Sequence, residues 1–343
     1  MVAKFILDKK IVNEQVKSLL DLGLKVSYSY KTNHEVGDVL QDSKMDVNFS
    51  IHSKDEIDKI KIKNKVYFFT QAESVEELIS ILNSGIRSFV VDNEIDFKSI
   101  LQAIELKQIK IDLSIRMKFQ EHRVGTGKYF VYGLSSRKVN ELILQVKDNN
   151  LINRLGVHIH RKSQNTSEWE IVSELEDSLN KNVLERINFV NLGGGLPVKY
   201  KNYTADILPY IFEKLKKVVD WLREKNIETF IEPGRYIAAP CIKLEVEIIQ
   251  VQDKNLIVNT TIYNCALDCI LTDTKMLVED ELTENQDGEY YLIKGNSPTR
   301  DDIFRYKVKL KNPEVGDKIV FLNAGAYNYT TDFFGYTKLK TIS

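Results

Sequence analysis

Short apolar strands alternate with amphipathic helices from Leu24 to Ile231, and this alternation restricts the fold more than any other feature of the chain. Strands that alternate with helices predict a parallel β/α architecture. About eight strands can be counted when the segment that contains Lys31 is taken as the first, and eight is the number that a closed barrel needs. The sequence therefore predicts an α/β fold built on a (β/α)8 TIM-type barrel.

After Ile237 the helices become scarce and the pattern changes. Turn-forming segments separate the apolar runs there, which is typical of a mostly antiparallel sheet. The predicted strands of this region are Lys243–Val251, Leu256–Ile262, Tyr290–Ile293 and Lys318–Phe321. We expect the barrel to span residues 9–238. Residues 1–8 and 239–343 are expected to form a smaller β domain of sandwich or barrel type.

Charge and cysteine content exclude several classes of protein. The 343 residues carry a formal net charge of -1, so nothing indicates binding to nucleic acid or to an anionic membrane. The three cysteines, Cys241, Cys265 and Cys269, have neither metal-site spacing nor a disulfide framework. No apolar run has the length of a membrane span, and the first residues lack the features of a signal peptide. We expect a cytoplasmic protein.

The segment from Leu24 to Asn33 contains the first candidate for chemistry. Bulky residues alternate with Ser27, Ser29 and Lys31, which indicates a strand with one small face. Lys31 would lie at the carboxyl end of that strand, where barrel enzymes build their active sites. A lysine amine held there can form a Schiff base with an aldehyde cofactor. A lysine at the end of a strand is, however, more often simply exposed to solvent.

Four later motifs supply further polar groups at strand ends. The glycines Gly193–Gly195 suit the close approach of backbone N–H groups to an anion. In the segment Ile231–Arg235, a guanidinium suits a phosphate and Glu232 could hold a ring nitrogen protonated. His158 and His160 share the small face of a strand, which favours stacking and hydrogen bonding over metal binding because no acidic third ligand is nearby. Each motif alone is also compatible with a turn, a surface ion pair or packed core residues, as is Tyr327 in the segment Gly325–Tyr327.

Taken in order, YSYK, GVHIHRKS, NLGGG, IEPGR and GAY resemble the fold-type III pyridoxal phosphate decarboxylases. These alanine-racemase-fold enzymes include ornithine, diaminopimelate and carboxynorspermidine decarboxylases. The resemblance extends from about Phe5 to Tyr336. It implies pyridoxal 5′-phosphate as cofactor, and a homodimer in which each subunit completes the partner's active site.

The resemblance also implies roles for individual residues. Lys31 would be the Schiff-base lysine, His160 would stack on the cofactor ring, and Glu232 would pair with the pyridine nitrogen. Arg116 would lie near the cofactor. The phosphate would be held by Ser163, Gly195, Arg235 and Tyr327, and Gly193, Gly194 and Gly234 would also bind the cofactor. Substrate contacts would come from Asp273, Thr299, Arg300 and Asp302.

The chain departs from the family pattern in the segment Gly295–Phe304. Pro298 and Thr299 stand where relatives usually have a cysteine and an acidic residue. The family's cysteine donates a proton to Cα after decarboxylation, so another donor is needed, and we considered Lys31, His160, Cys269 and water. Lys162 also replaces the glycine that usually precedes the phosphate serine.

We therefore predict a pyridoxal-phosphate-dependent decarboxylase acting at the Cα of an amino acid or a modified amino acid. Asp273 suggests an amine-bearing substrate, whereas Thr299 and Arg300 leave room for a larger or partly anionic one. Polyamine, siderophore or peptide-antibiotic biosynthesis would each fit. The alternatives are an amino-acid racemase of the same fold and a non-catalytic PLP-binding regulatory protein.

Overall fold

The computed structural model describes residues 2–119 and 132–343. Eight parallel strands in its larger part close into a barrel, with each strand paired to the next in sequence and the last paired to the first. The predicted barrel is thereby confirmed. Its strands are β2 (Lys25–Ser29), β3 (Val47–Ile51), β4 (Val66–Phe69), β5 (Ser88–Val91), β6 (Ile111–Arg116), β7 (Ile152–His158), β8 (Phe189–Asn191) and β9 (Glu228–Ile231).

Helices surround the barrel and bury one apolar stripe each, as their spacing predicts. In the longest, for example, Ile211, Leu215, Val218 and Leu222 are buried. The helices of this part are α1 (Lys9–Leu20), α2 (His34–Asp42), α3 (Lys54–Ile57), α4 (Val75–Asn83), α5 (Glu94–Lys107), α6 (Ser136–Val146), α7 (Ile171–Ser178), α8 (Lys181–Leu184), α9 (Leu208–Arg223) and α10 (Arg235–Ala238).

Aromatic side chains fill part of the barrel interior. Tyr67, Phe189 and Phe230 pack edge-to-face with ring centroids 5.4–6.1 Å apart. Gly156 makes room for them, because a Cβ atom there would lie 2.4 Å from the Phe189 ring. Phe69 packs against this cluster and also lines the large cavity described below. The aromatic cluster therefore closes one side of that cavity with apolar surface.

The smaller part of the chain forms one mixed eight-stranded sheet. Most of its strand pairs are antiparallel. Two pairs are parallel: β1 (Lys4–Leu7) with β16 (Lys340–Ile342), and β11 (Asn255–Val258) with β13 (Glu289–Lys294). The predicted second β domain is thus confirmed, and the N-terminal strand joins it through β10. Its elements are β1 (Lys4–Leu7), β10 (Ile242–Gln252), β11 (Asn255–Val258), α11 (Ile262–Cys265), α12 (Leu267–Leu271), β12 (Leu277–Val278), β13 (Glu289–Lys294), β14 (Ile303–Leu310), β15 (Lys318–Leu322) and β16 (Lys340–Ile342).

Three short 3₁₀ turns complete the described structure, at Tyr30–Thr32, Lys63–Lys65 and Phe333–Gly335. Across residues 2–119 and 132–343, none of the helices combines the length and hydropathy of a transmembrane segment.

Candidate active site

A cavity of about 480 Å³ opens at the carboxyl ends of the barrel strands. Barrel enzymes place their active sites at this end, and its volume lies within the range of small-molecule sites. Most of the side chains proposed from the sequence line it. The described lining comprises Ser29, Lys31, Ser50, His52, Phe69, Gln71, Arg116, Lys118, Phe119, Tyr132, His158, His160, Ser163, Gly194, Gly195, Leu196, Glu232, Pro233, Gly234, Arg235, Tyr236 and Tyr327.

Lys31 enters the cavity from the 3₁₀ turn that follows β2. The β domain fixes the backbone of this turn: the Tyr329 hydroxyl donates to the Lys31 carbonyl, and the Tyr327 N–H donates to the Thr32 carbonyl at 3.0 Å. Burial lowers the pKa of the Lys31 amine, while the carboxylates of Glu232 and Glu56 oppose that shift. A lowered pKa increases the neutral fraction of the amine, the form that attacks an aldehyde.

Glu232, directly after β9, is held by three donors. Its Oε1 accepts from Ser50 Oγ at 2.8 Å and from Asn191 Nδ2 at 2.9 Å, and its Oε2 lies 2.9 Å from His158 Nε2. Burial alone would raise the pKa of this carboxyl, but His158 and the Ser50 hydroxyl outweigh burial and bring it to about 2. Glu232 is therefore ionised at neutral pH.

The two histidines of the HIH motif lie one behind the other. Their rings are parallel within 6° at a centroid distance of 6.4 Å, and His158 is the buried one. His160 faces the open cavity and its Nδ1 accepts from the Gly194 N–H at 3.1 Å. His160 is exposed to solvent, and it lines this cavity. Burial and the nearby Arg116 lower the pKa of His160 to about 3, so it presents a neutral flat ring.

Glycines shape another part of the cavity wall. A Cβ atom at Gly193 would lie 2.3 Å from the Ile159 carbonyl oxygen, and one at Gly234 would lie 2.2 Å from Thr32 Oγ1. Gly195 has φ +111°, which also favours glycine. Only glycine therefore allows these backbones to pack so closely beside the cavity. Ser163, Arg235 and Tyr327 add side-chain donors at this end.

Arg235 is anchored from the β domain. Its Nη1 and Nη2 donate to the two carboxylate oxygens of Asp268 at 2.5 and 2.9 Å, and Nη1 also donates to the Tyr200 hydroxyl at 2.9 Å. The Nε–H is buried and has no hydrogen-bond partner within the described structure. Thr272 and Thr274 donate to the same aspartate at 3.0 and 2.8 Å. Asp268 therefore fixes the guanidinium while its Nε–H stays without a partner among the described residues.

The residues present fit pyridoxal phosphate. A lysine amine can bond to its aldehyde, an ionised carboxylate can pair with its pyridinium nitrogen, and a neutral imidazole can stack on its ring. The glycine-lined end with the unsatisfied Arg235 Nε–H fits an anionic phosphate. Arg116 lies beside His158 in the register of β6 and β7 and also lines the cavity.

The structure does not bring the four proposed substrate residues into this cavity. Asp273 follows the short helix α12 with φ +55°; its side chain is 78% exposed and pairs with Lys275. Asp302 is buried in the β domain, where its carboxylate accepts from the Ile262 and Ser297 N–H groups. Within its own chain Asp302 thus fixes backbone of the β domain, and a direct substrate contact by Asp302 stays a prediction. Thr299 is partly buried beside Ser297, and Arg300 is 93% exposed.

Cys269 does not line the cavity either. Burial and the neighbouring Asp268 raise the pKa of its thiol to about 12. Its place outside the described cavity lining argues against Cys269 as the proton donor that replaces the family's cysteine.

Sequence reasoning missed four residues of the site: Ser50, His52, Asn191 and Asp268. Ser50 and His52 alternate at the end of a predicted strand as Ser29 and Lys31 do, so the same pattern would have found them. Asn191 stands two residues before Gly193; its Oδ1 accepts from the Gly193 N–H and its Nδ2 donates to Glu232, both at 2.9 Å. Asp268 begins the segment that ends at Asp273, and the family resemblance assigns a role in the site only to Asp273.

Comparisons with known proteins agree with this geometry. A family model described as pyridoxal-dependent decarboxylase, pyridoxal binding domain, matches residues 9–239. Diaminopimelate decarboxylase of Pseudomonas fluorescens is 23% identical over 326 residues, which are 89% of this chain and 77% of the relative.

Two solved structures share the fold over nearly the whole chain. Diaminopimelate decarboxylase from Helicobacter pylori, complexed with L-lysine, has a TM-score of 0.83 at 21% identity and covers 100% of this chain and 92% of its own. Lysine/ornithine decarboxylase from Vibrio vulnificus, complexed with cadaverine, has a TM-score of 0.81 at 18% identity, with coverages of 99% and 94%.

Proposed function

The chain belongs to the family of pyridoxal-dependent decarboxylases, and from that premise we propose that Lys31, His160 and Glu232 are the catalytic residues of its carboxy-lyase activity. Family membership favours the decarboxylase over the racemase and the non-catalytic carrier. Pyridoxal phosphate is the cofactor and, when bound, accepts the electrons that remain at Cα as carbon dioxide leaves.

The observation that supports this proposal is the convergence of these three side chains on one cavity. Lys31 supplies the amine that holds the cofactor's aldehyde. Glu232, kept ionised by its three donors, keeps a ring nitrogen protonated. His160 is neutral and flat, so its role is to orient the ring by stacking. The chemistry thus needs one nucleophile, one anion and one platform, and each comes from the carboxyl end of a different strand.

We assign the phosphate to Ser163, Gly193, Gly194, Gly195, Gly234, Arg235 and Tyr327, with Arg116 beside the ring. This assignment is supported by the glycine-shaped end of the cavity and by the buried Arg235 Nε–H. The Gly193 and Gly194 N–H groups already donate to Asn191 and His160 and therefore shape the backbone around the phosphate. Phosphate binding by the Gly195 and Gly234 N–H groups and a fixed guanidinium is favourable because the donors are oriented before the ligand arrives.

The substrate is proposed to be an amino acid with a polar side chain. Arg116, Lys118 and Gln71 line the cavity, and Glu232 is the acidic residue among its described lining residues. This charge distribution favours a substrate with a neutral or partly anionic end over a simple diamine precursor, unless a second subunit contributes acidic groups. An amine-bearing substrate in polyamine, siderophore or peptide-antibiotic biosynthesis remains the second proposal from the sequence.

A homodimer is proposed as the functional unit. Pro298, Arg300 and Asp301 are exposed on a loop of the β domain outside the cavity of their own chain, as expected if this loop completes the site of a partner. Sedimentation of the holoenzyme tests this assembly, and a monomeric active species would contradict it. A cytoplasmic location is also proposed, and it is supported by the free state of all three cysteines.

The deciding experiment measures carbon dioxide release by the purified, cofactor-loaded protein. The panel should contain basic, acidic and neutral amino acids together with carboxylated polyamines. Borohydride reduction should attach the cofactor to the peptide that contains Lys31. Lys31→Ala should abolish both signals, whereas Lys25→Ala, at the other end of the same strand, should keep them. Attachment to another lysine would contradict the assignment.

A further inference from the structure

His52 occupies a position beside Lys31 that no motif nominated. Strands β2 and β3 pair in parallel with Ser29 opposite Ser50. Lys31 and His52 each follow two residues later, at the carboxyl ends of these adjacent strands, and both line the cavity. Neighbouring strands are about 4.8 Å apart. The imidazole and the amine therefore lie on the same side of the site.

We propose that His52, oriented by Glu56, delivers the proton to Cα that the family's missing cysteine would otherwise supply. The inference rests on the proposed decarboxylase function. Carbon dioxide departure leaves an electron pair at Cα. A C–H bond forms there as the Nε2–H bond of the His52 imidazolium breaks, and the neutral imidazole is then reprotonated from solvent. The net reaction consumes one proton and yields one amine and one carbon dioxide.

Glu56 is placed to orient this imidazole. Its carboxylate is buried; Oε2 accepts from the His52 backbone N–H at 3.2 Å and lies 3.7 Å from His52 Nδ1. Nδ1 itself is buried and has no hydrogen bond in the described structure. A carboxylate beside Nδ1 favours the imidazolium and keeps that nitrogen from the cavity. Nε2 is consequently the nitrogen available for proton transfer.

The same carboxylate is also tied to His34, whose Nε2 lies 3.3 Å from Oε1. Burial would raise the pKa of Glu56, but the hydrogen bonds from His34 and from the His52 backbone lower it. Glu56 is therefore an anion next to His52. The Phe69 ring from β4 packs against the imidazole with centroids 6.1 Å apart, which restricts its orientation.

The charges that face His52 vary with the state of Lys31. Burial and the Lys31 ammonium lower the pKa of His52, while Glu56 and Glu232 oppose this shift. The substrate amine displaces Lys31 from the cofactor before Cα reacts, and because burial lowers the pKa of the released Lys31 amine, its neutral form is favoured and carries no ammonium charge. Loss of that repulsion favours the protonated form of His52 at the stage when a donor is needed.

Two other donor candidates, His160 and Lys31, also line the cavity. His160 has a pKa of about 3 and uses Nδ1 to accept from Gly194, so it carries no dissociable extra proton at neutral pH. Lys31 lies on the same side as His52, so the stereochemistry of the product alone does not separate these two donors. Substitution of His52, or of Glu56, which positions the His52 imidazole, separates these two donors.

The test compares His52→Gln and Glu56→Gln with Ser53→Ala, which removes the hydroxyl that caps the same turn without contacting the cavity. All three should bind pyridoxal phosphate and be labelled at Lys31 by borohydride. His52→Gln should lose at least about 100-fold in the rate of amine formation, since a positioned general acid contributes about 10²–10⁴-fold. Protonation should shift to the cofactor's own carbon, which transfers the amino group to the cofactor and leaves an aldehyde product. Ser53→Ala should change the amine rate by less than about threefold.

A second readout uses the protein without cofactor. The rate of His52 carbethoxylation, followed by mass spectrometry against pH, reports the protonation of its imidazole. Glu56→Gln should move the midpoint to lower pH because the anion that favours the imidazolium is lost. An unchanged midpoint would overturn the pairing even if no substrate is found. Wild-type protein that releases carbon dioxide, with His52→Gln forming amine at the same rate, would overturn the inference and leave the proposed function intact. Absence of carbon dioxide release from every substrate in wild type would instead contradict the proposed function.

Discussion

A buried carboxylate shows most clearly how single residues prepare this site. Glu232 has donors on both oxygens, and these donors come from strands β3, β7 and β8. Because the three donors are fixed before any ligand binds, the anion is stable in a place where burial would otherwise neutralise it. Glu232 therefore contributes to the stability of the barrel, and its proposed role is to pair with the cofactor.

Replacement of Glu232 by Gln should separate these two roles. In the folded protein its pKa is about 2, against an ordinary value of 4.5. The depressed pKa means that the carboxylate stabilises the fold above pH 4.5, by about 3 kcal/mol, and that this contribution is lost as the pH falls towards 2. The difference in unfolding free energy between wild type and Glu232→Gln should shrink between pH 6 and pH 3.

Chemical denaturation of the cofactor-free proteins over that pH range gives this difference. If the difference in unfolding free energy between wild type and Glu232→Gln does not change with pH, Glu232 is not ionised in the folded protein. In the loaded enzyme, Glu232→Gln should keep the cofactor bound but slow carbon dioxide release by at least about tenfold, because the ring nitrogen loses its anionic partner.

At the scale of elements, identical local patterns had different outcomes. Ser74 and Glu77 form the capping box that their spacing predicts at the start of α4. Ser53 and Glu56 have the same spacing before α3, but Glu56 turns to His34 and to the His52 backbone instead. Propensity and spacing are local, whereas the partners of Glu56 come from the preceding strand end and from α2.

The same limit explains which parts of the site could be predicted. The local pattern of apolar and polar residues predicts where strands end, and it therefore places Lys31, His160 and Glu232 at strand ends. The choice between Asp268 and Asp273 depends on how the segment after α11 turns. The short helix α12 directs Asp268 to Arg235, and the left-handed backbone at Asp273 leaves that side chain in solvent. Nothing in the segment's pattern encodes that turn.

Asp268→Asn should destabilise the protein strongly, and more without the cofactor than with it. Removing one partner of a buried ion pair costs about 3–5 kcal/mol because the other charge stays buried. A bound phosphate near Arg235 would compensate part of that charge. Thermal unfolding with and without pyridoxal phosphate measures both costs. Asp273→Asn is the matched control, and its exposed pair with Lys275 should contribute less than about 1 kcal/mol. If Asp268→Asn lowers the stability equally with and without pyridoxal phosphate, the phosphate does not lie near Arg235.

At the scale of the whole molecule, the β domain helps to build the barrel's active site. Three contacts join it to the turn that carries Lys31: Tyr327 N–H to the Thr32 carbonyl, the Tyr329 hydroxyl to the Lys31 carbonyl, and Asn33 Nδ2 to the Gly325 carbonyl at 2.9 Å. Asp268 adds a fourth link through Arg235. A barrel alone would leave Lys31, the proposed Schiff-base lysine, on a turn without these contacts, so both parts of the chain build the proposed site.

Asn33 allows this dependence on the second domain to be tested with little disturbance of the barrel. Its Oδ1 caps α2 by accepting from the Val36 N–H at 3.1 Å, while its Nδ2 donates to the β domain. Asn33→Asp keeps the cap and removes the donor, so a carboxylate faces the Gly325 carbonyl. A buried hydrogen bond lost in this way costs about 1–3 kcal/mol, and we expect cofactor affinity to fall about tenfold as the Lys31 turn loosens.

Asn33→Ala removes both the cap and the donor, and it should destabilise the fold by about 1 kcal/mol more than removal of the donor alone. Fluorescence titration of each variant with pyridoxal phosphate gives the affinity, and denaturation gives the stability. If Asn33→Asp binds the cofactor as wild type does, the β domain does not hold the lysine turn in place, and the contacts between the two parts serve stability alone.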